Sequence, residues 1–310
     1  MRKHPFFLLL SILSIVILCS STKSGAGPDR SESTDIRNPI LAGTWYPGDS
    51  NSLQKSIRDF LDSVSPTEPD GNIIAIIVPH AGHIYSGRVA AHAYKLIENK
   101  IFDRVIMIGP SHRFAFRGVS VNLQSGYRTP LGTVQVDKVL AEKIIHTSSQ
   151  IRWVPQAHDH EHSLEIQIPF LQTVLRDFKI IPIVMGQQDL QTSTALAASL
   201  IKVISPSEKT LLLASTDLSH FHDNNKALKL DSTFINYVKS NDPIGLAKAI
   251  TAGKCEACGF GPVMTVMMTA QKLKADRTVI LNYANSGDVT GDYSRVVGYT
   301  SAVLIRTKER

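Results

Sequence analysis

Hydrophobic residues recur along the chain in two patterns, and each pattern predicts a different secondary structure. In segment 51–64 the apolar residues lie three or four positions apart, which predicts a helix with Asp49 or Ser50 as its cap. Short runs of apolar, often β-branched residues that stop at Pro, Gly or polar residues predict buried strands. The predicted strands are 73–78, 104–108, 180–184, 211–215, 279–283 and 296–305, and the predicted helices are 51–64, 88–98, 163–178, 190–204, 226–239, 243–251 and 262–273.

The order of these elements predicts the fold class. Strands and helices alternate along most of the chain, and the strands are apolar throughout, as in sheets covered on both faces. We therefore expect an α/β/α layered domain with a central mixed, largely buried sheet. Pro169 should kink the helix 163–178 or end a turn there. Pro182 places the strand 180–184 at an edge of the sheet or at a strand end, because proline cannot donate to a ladder.

The first 25 residues have the features of a secretory signal. Arg2 and Lys3 precede an apolar run over residues 6–18, which is shorter than the ~20 residues that a spanning helix needs. Cys19 follows directly, where a bacterial lipoprotein carries its acylated cysteine. The alternative is an uncleaved or conventionally cleaved signal with an incidental cysteine. We expect an exported protein, periplasmic or attached to the membrane by a lipid on Cys19.

Composition and charge fit one folded domain behind this leader. Of the 310 residues, 43% are hydrophobic and 19% are charged, which excludes an intrinsically disordered chain. We divide the chain into a signal at 1–25, a flexible polar linker at 26–38 and one domain at 39–310. The formal net charge of +6 is spread without a basic run, so we expect no nucleic-acid partner.

Three predicted strands are each followed by a histidine. His80 follows strand 73–78, His112 follows strand 104–108, and His220 follows strand 211–215 together with Asp217. In open α/β sheets, sites form outside the carboxyl ends of the strands. We expect these groups to converge on one crevice. A single histidine after a strand is more often a loop residue.

A pair of cysteines adds a further candidate donor. Cys255 and Cys258 are separated by two residues, and Cys258 lies in a Gly-bounded turn just before the predicted helix that starts at Pro262. A helix N-terminus favours the thiolate, which binds metals or attacks electrophiles. The alternative in an exported protein is a small disulfide between the two cysteines.

The segment 157–163 carries histidines at alternate positions. On an extended backbone they would share one side, but such runs are often solvated loops, which we favour over an independent metal site. His162 and Glu165 flank a predicted helix start, where Ser163 is a candidate cap and Glu165 lies in the first turn.

Short motifs recur in order through the domain, and together they resemble the Memo family, which includes the bacterial AmmeMemoRadiSam system protein B. The motifs are Ala-Gly-Thr-Trp-Tyr-Pro at 42–47, Pro-His-Ala-Gly at 79–82, Tyr-Ser-Gly at 85–87, Gly-Pro-Ser-His at 109–112, Tyr-Arg-Thr-Pro-Leu-Gly at 127–132, Glu-His-Ser-Leu-Glu at 161–165, Ser-Thr-Asp-Leu-Ser-His at 215–220, Cys-Gly at 258–259 and Leu-Asn-Tyr-Ala at 281–284.

This resemblance implies a fold similar to the class III extradiol dioxygenases, which hold non-haem Fe(II). It implies a metal site in which a cysteine joins two histidines, and a pocket around it. His83 stands where the family usually has tyrosine, and the family is usually intracellular, so the leader is a departure. The family also implies a functional link to AMMECR-type and radical SAM proteins. The positions that match the family site are His80, His112 and Cys258 as metal ligands, Asp217 and His220 as the pocket aspartate and histidine with a catalytic role, and Trp45 and Tyr85 as pocket aromatics.

Two functions from different classes follow. Two imidazoles and a thiolate suit a late first-row metal, with iron(II) or copper favoured and zinc as a third candidate. The first function is a dioxygenase-like, metal-dependent oxidoreductase acting on a small molecule. The second is a binding or adaptor module that holds a metal or a peptide in the same pocket without turnover. A third, purely structural interpretation makes Cys255 and Cys258 a disulfide.

Overall fold

The computed structural model describes Met1, residues 35–205 and residues 209–308. Apart from Met1, the predicted signal with Cys19 and most of the predicted linker lie outside the described residues. No helix in the described part of the chain has both the length and the hydrophobicity to cross a membrane.

Helices and strands alternate through the described domain. The strands are β1 (Ile36–Arg37), β2 (Asn72–Val78), β3 (Arg104–Pro110), β4 (Val119–Val121), β5 (Gly126–Thr129), β6 (Gly132–Gln135), β7 (Ile151–Arg152), β8 (Lys179–Met185), β9 (Thr210–Ser215), β10 (His220–His222), β11 (Arg277–Asn285) and β12 (Val296–Arg306). The helices are α1 (Ser50–Asp62), α2 (His83–Ile97), α3 (Lys138–Ile145), α4 (Gln156–Asp159), α5 (Ile168–Val174), α6 (Leu190–Val203), α7 (Asn224–Lys239), α8 (Pro243–Thr251), α9 (Phe260–Lys272) and α10 (Gly287–Thr290), with a 3-10 turn at Glu165–Gln167.

Four parallel strands form the centre of the main sheet, in the order β2, β9, β3, β8. Antiparallel β12 extends the sheet beyond β2 and also pairs with β10 and β11. On the other side β4 runs antiparallel to β8, and β7 pairs in parallel with β4. Within residues 35–205 and 209–308 the main sheet has nine strands, while β1, β5 and β6 form a separate three-stranded sheet. The predicted mixed sheet is confirmed.

Apolar side chains cover both faces of the main sheet. Along β2, Ile76 and Val78 belong to a buried cluster with α1, α2 and α5, whereas Ala75 and Ile77 belong to a second cluster with α3 and α6–α9. This alternation follows the two-residue period of a strand. Sheet and helices thus form the predicted α/β/α layers. The predicted cap of α1 is Asp49, whose carboxylate accepts from the Ser52 N–H at 2.9 Å.

Pro182 lies inside the sheet, so its predicted edge or strand-end position is wrong. β8 has β3 on one side and β4 on the other. The Pro182 carbonyl accepts from the Asn122 N–H at 2.9 Å, and the two backbone groups of one strand residue face the same neighbour. The side of Pro182 that lacks an N–H therefore faces the end of β4. The pairing of β4 with β8 stops at Val121, so proline is tolerated at this position.

The predicted helix 163–178 is divided into a 3-10 turn and α5. Pro169 lies in the first turn of α5, where its missing N–H costs nothing, so the expected interruption at this proline is present. Ser163 does not cap a helix. Its N–H donates to Glu161 Oε1 at 2.8 Å, and its hydroxyl donates to the Pro110 carbonyl at 3.2 Å.

The folded domain begins before the predicted start at residue 39. Ile36 and Arg37 form β1, which pairs in parallel with β5. Arg37 is 5% exposed, and its guanidinium lies 2.6 Å from a carboxylate oxygen of Glu165. It also donates to the backbone carbonyls of His158 and Glu161 at 2.8 and 2.7 Å. The last residues of the predicted linker are therefore part of the packed domain.

Replacing Arg37 with Met should destabilise the domain by roughly 3–5 kcal/mol, because a buried carboxylate loses its partner. The matched control is Lys55→Met, which breaks the exposed pair between Lys55 and Asp59 and should change stability by less than about 0.5 kcal/mol. Urea unfolding of both variants gives the comparison. Similar midpoints for the two variants would contradict a stabilising role for the buried pair.

Candidate metal centre

The carboxyl ends of three neighbouring strands open into one pocket. His80 follows β2, Asp217 follows β9 and His112 follows β3, and β9 lies between the other two strands. The pocket has a volume of about 500 Å³. Its lining combines histidines, an aspartate and large apolar side chains: Thr44, Trp45, His80, Ala81, Gly82, Ile84, Tyr85, His112, His162, Asp217, His220, Val297 and Tyr299.

His80 is enclosed by hydrogen bonds at the base of this pocket. The residue is 1% exposed, and its ring Nδ1 lies 2.9 Å from Ser215 Oγ. Its other nitrogen, Nε2, lies 3.0 Å from Cys258 Sγ. Burial, followed by the nearby His112, lowers the pKa of His80 well below its ordinary value, so the imidazole is neutral.

His112 is held by a buried carboxylate. Its Nδ1 lies 2.9 Å from Glu161 Oε1, and its backbone N–H donates to Glu161 Oε2 at 2.6 Å. Burial alone would raise the pKa of Glu161, but the hydrogen bonds from His112 outweigh it and lower the pKa to about 2. Glu161 is therefore an anion that accepts the Nδ1 proton of His112 and leaves Nε2 as the available ring nitrogen.

Cys258 is fixed by the backbone of the loop after β9. Its Sγ accepts from the Asp217 N–H at 3.2 Å, and its own N–H donates to the Asp217 carbonyl at 3.2 Å. The next residue, Gly259, approaches so closely that an added Cβ would overlap the Ser215 carbonyl oxygen. A residue with a side chain at this position would push the cysteine loop away from the histidines.

The thiol of Cys258 differs from the expectation based on the nearby helix start. Burial, followed by the charge of Asp217, raises its pKa far above the ordinary value. These effects outweigh the N-terminus of α9, so in the metal-free chain Cys258 is a neutral thiol next to a neutral His80. Metal binding to such a thiol releases its proton.

Three donors thus lie within reach of one metal ion. One ligand atom from each of His80, His112 and Cys258 lies within 4.8 Å of the other two. Two imidazole nitrogens and one sulfur form a suitable donor set for a late first-row metal. One ligand atom from each of His112, Glu161 and His162 also lies within 4.8 Å of the other two. The hydrogen bond between His112 and Glu161 already accounts for this second set.

The predicted pocket residues also line the cavity. Asp217 is 4% exposed and accepts from the His80 N–H at 2.7 Å. Burial raises the pKa of Asp217 to about 6, against the lowering effect of that hydrogen bond. His220 reaches the cavity from β10. Trp45 packs beside His162 with ring centroids 4.7 Å apart, and Tyr85 stands at the mouth, 42% exposed.

Three predicted residues lie outside the cavity lining: Cys255, Cys258 and Glu165. Of these, Cys258 still reaches the site, because its Sγ lies 3.0 Å from His80 Nε2. Cys255 is 1% exposed and packs in the second apolar cluster, and the structure has both cysteines as free thiols. Glu165 is fully buried and binds the N-terminal segment: besides Arg37, it accepts from the Tyr46 hydroxyl at 2.8 Å and from the Leu41 N–H at 2.9 Å. The position of Glu165 after the histidine run gave no indication of this role.

The histidine run does not place its three imidazoles on one side. His158 is buried in α4, between the Tyr127 hydroxyl at 3.1 Å and Ser120 Oγ at 3.0 Å. His160 is exposed, and only His162 lines the pocket. Glu161 was not among the predicted site residues, although it belongs to the same short motif.

Three comparisons identify relatives of this chain. A family model described as "Memo-like protein" matches residues 37–303. The "MEMO1 family protein" of Methanobrevibacter smithii is 40% identical over 280 residues, covering 87% of this chain and 99% of the relative. That of Sulfolobus acidocaldarius is 38% identical over 279 residues, covering 86% and 98%. The crystal structure of uncharacterized protein JW3007 from Escherichia coli K12 aligns at a TM-score of 0.48 and 14% identity, covering 74% of this chain and 99% of that one. By the family model and the two MEMO1 family proteins, the chain belongs to the Memo family.

Proposed function

We propose that this Memo-family chain binds one metal ion through His80, His112 and Cys258 and acts as a dioxygenase-like oxidoreductase on a ligand in the adjoining pocket. The observation that carries the proposal is the convergence of one ligand atom from each residue within 4.8 Å. Nδ1 of each histidine is engaged by a residue outside the proposed ligand set, Ser215 in one case and Glu161 in the other. The Nε2 atoms are therefore the proposed metal donors, and that of His80 lies 3.0 Å from the third proposed ligand atom, Cys258 Sγ.

The donor set favours iron(II) or copper, with zinc as the third candidate, because thiolate and imidazole together suit all three. A bound metal with three protein ligands would supply a Lewis-acid or redox centre with open positions. His220 and Asp217 line the same cavity. His220 would exchange a proton with the ligand, and Asp217 would orient the ligand by hydrogen bonding.

The lining also narrows the class of ligand. Trp45, Tyr85 and Tyr299 contribute aromatic surface, and the described lining residues include no lysine or arginine. This surface favours a small ligand with an aromatic or apolar body and few polar groups over a highly charged one. Oxidation of such a molecule is the reaction that we propose.

A peptide-binding module without turnover is the second candidate. Ile84 and Tyr85 stand at the cavity mouth, 69% and 42% exposed. Exposed apolar side chains at a pocket rim favour contact with a ligand that extends beyond the pocket. In that case the metal site would organise the pocket without turning over a substrate.

Replacing His80, His112 or Cys258 with Ala should remove most of the bound metal, because each change deletes one of three protein donors. His146→Ala is the control, since His146 is exposed and its Nδ1 hydrogen-bonds to the Glu142 carbonyl of its own helix. Elemental analysis of purified proteins, with circular dichroism to check folding, makes the comparison. Stoichiometric metal in the triple variant would show that the ligands are assigned wrongly.

Oxidation should weaken metal binding in the wild type, because a disulfide between Cys255 and Cys258 would consume the thiolate that the metal needs. Burial, followed by the charge of Glu256, raises the pKa of Cys255 to about 11, so little of this thiol is in the reactive thiolate form at neutral pH. Cys255→Ser should keep metal binding and lose the sensitivity to oxidant. Metal titrations in reducing and oxidising buffers test this, and equal wild-type affinities would show that the pair does not close.

Oxygen consumption with a panel of catechols separates the two proposed functions. The metal-loaded wild type should consume oxygen with at least one of them. His220→Gln should keep its metal but slow the reaction by roughly 10²–10⁴-fold, which is the usual contribution of a general acid–base group. An intact metal site that consumes no oxygen with any catechol would favour the binding module.

A further inference from the structure

We infer that Ser215 is a positioning residue that holds the proton of His80 on Nδ1 and so keeps Nε2 available to a metal, with Gln167 and Tyr94 fixing its orientation. The role of this tautomer in metal binding rests on the proposed metal site. The tautomer itself follows from the hydrogen bonds of the described residues.

The Ser215 hydroxyl has three partners, and only one arrangement of protons satisfies them all. Its oxygen lies 2.7 Å from the Ser163 carbonyl, 2.8 Å from Gln167 Nε2 and 2.9 Å from His80 Nδ1. A hydroxyl offers one proton and two lone pairs. The Ser163 carbonyl can only accept, so it takes the hydroxyl proton. The two lone pairs then accept from Gln167 and from His80 Nδ1–H.

The orientation of the Gln167 amide is determined in the same way. Its Nε2 lies 2.9 Å from the Pro79 carbonyl, which can only accept. Both amide protons are therefore used, one on Pro79 and one on Ser215, and Oε1 accepts from the Tyr94 hydroxyl at 2.7 Å. In the flipped amide, Gln167 Oε1 would lie against the Pro79 carbonyl oxygen. Gln167 therefore cannot present an acceptor to Ser215 in place of its N–H donor.

Every member of this network is shielded from water. Tyr94 and Ser215 are 0% exposed, and Gln167 and His80 are 1% exposed. A buried polar group left without a partner is destabilising, because no water replaces the lost bond. The opposite tautomer of His80 would need the Ser215 proton for Nδ1 and would leave the Ser163 carbonyl without it. The closed network therefore selects the tautomer with Nδ1–H.

The two histidines thus have different hydrogen-bond partners at Nδ1. His112 donates to the Glu161 carboxylate, which is itself an anion, whereas His80 donates to a neutral hydroxyl at the end of a neutral chain. A carboxylate partner increases the basicity of an imidazole ligand more than a hydroxyl does. The tautomer of His80 therefore depends only on how protons are distributed in the neutral hydrogen-bond network, without a charged partner.

Nitrogen-detected NMR of the histidine rings in the metal-free wild type reads this tautomer directly. We expect His80 to carry its proton on Nδ1, with Nε2 unprotonated. An Nε2–H signal for His80 in the wild type would overturn the inference without any variant, so the test holds even if a substitution at Ser215 prevents folding.

Ser215→Ala removes the acceptor, and the Nε2–H form of His80 should then rise at the expense of the Nδ1–H form. Affinity for Zn²⁺ should fall by roughly 10–100-fold, as is usual when the partner of a ligating histidine is lost. Ser219→Ala is the matched control, because Ser219 is also fully buried near the site, but within the described part of the chain its hydroxyl bonds to none of the proposed metal ligands. It should change neither the tautomer nor the affinity.

The two readouts separate this inference from the proposed function. An unchanged His80 tautomer in a folded Ser215→Ala variant would overturn the role of Ser215 whatever the metal result. A wild type that shows the Nδ1–H form but binds no metal would refute the metal site and leave the tautomer assignment standing. An equal loss of Zn²⁺ affinity in the Ser219→Ala control would contradict a specific role for Ser215.

Discussion

The parallel pairing of β2, β9 and β3 is the constraint on which the rest of the site depends. Because these strands are neighbours and run in one direction, the loops that follow them emerge side by side. His80 and His112 come from the two outer strands, and Ser215 ends the strand between them. Ser215 at the end of β9 therefore hydrogen-bonds to His80, which follows the neighbouring strand β2. The loop after β9 fixes Cys258 through backbone hydrogen bonds.

One short segment, from Glu161 to Gln167, connects the site to the rest of the domain. Glu161 holds His112, and the carbonyl of Ser163 takes the Ser215 proton. Glu165 binds the N-terminal segment through Arg37. The carboxylates of Glu161 and Glu165 and the carbonyl of Ser163 are buried and hydrogen-bonded, so water does not replace a bond that is lost there. These bonds hold the segment in place although its only regular structure before α5 is the 3-10 turn at Glu165–Gln167.

The sequence was sufficient for the layered fold and for the convergence of the strand-end histidines. Long helices and apolar strands have clear periods, whereas β4 and β7 are too short to show one. The interior position of Pro182 depends on where β4 ends, which is a tertiary fact. The raised pKa of Cys258 depends on its burial beside Asp217, which local sequence does not reveal. Glu165 was singled out for its neighbours in the chain, but its partners are more than a hundred residues away.

Because Gly259 closely approaches the backbone of Ser215, the position of the Cys258 sulfur and the composition of the pocket lining have separate structural origins. Main-chain contacts set the position of the sulfur donor, and the buried network sets the imidazole of His80. The aromatic lining comes from elsewhere, with Trp45 from the segment before α1 and Tyr299 from β12. Changes in the lining can therefore alter which ligand is selected while the donors stay in place. The architecture permits one frame of proposed metal ligands to serve different pocket ligands as the pocket wall diverges.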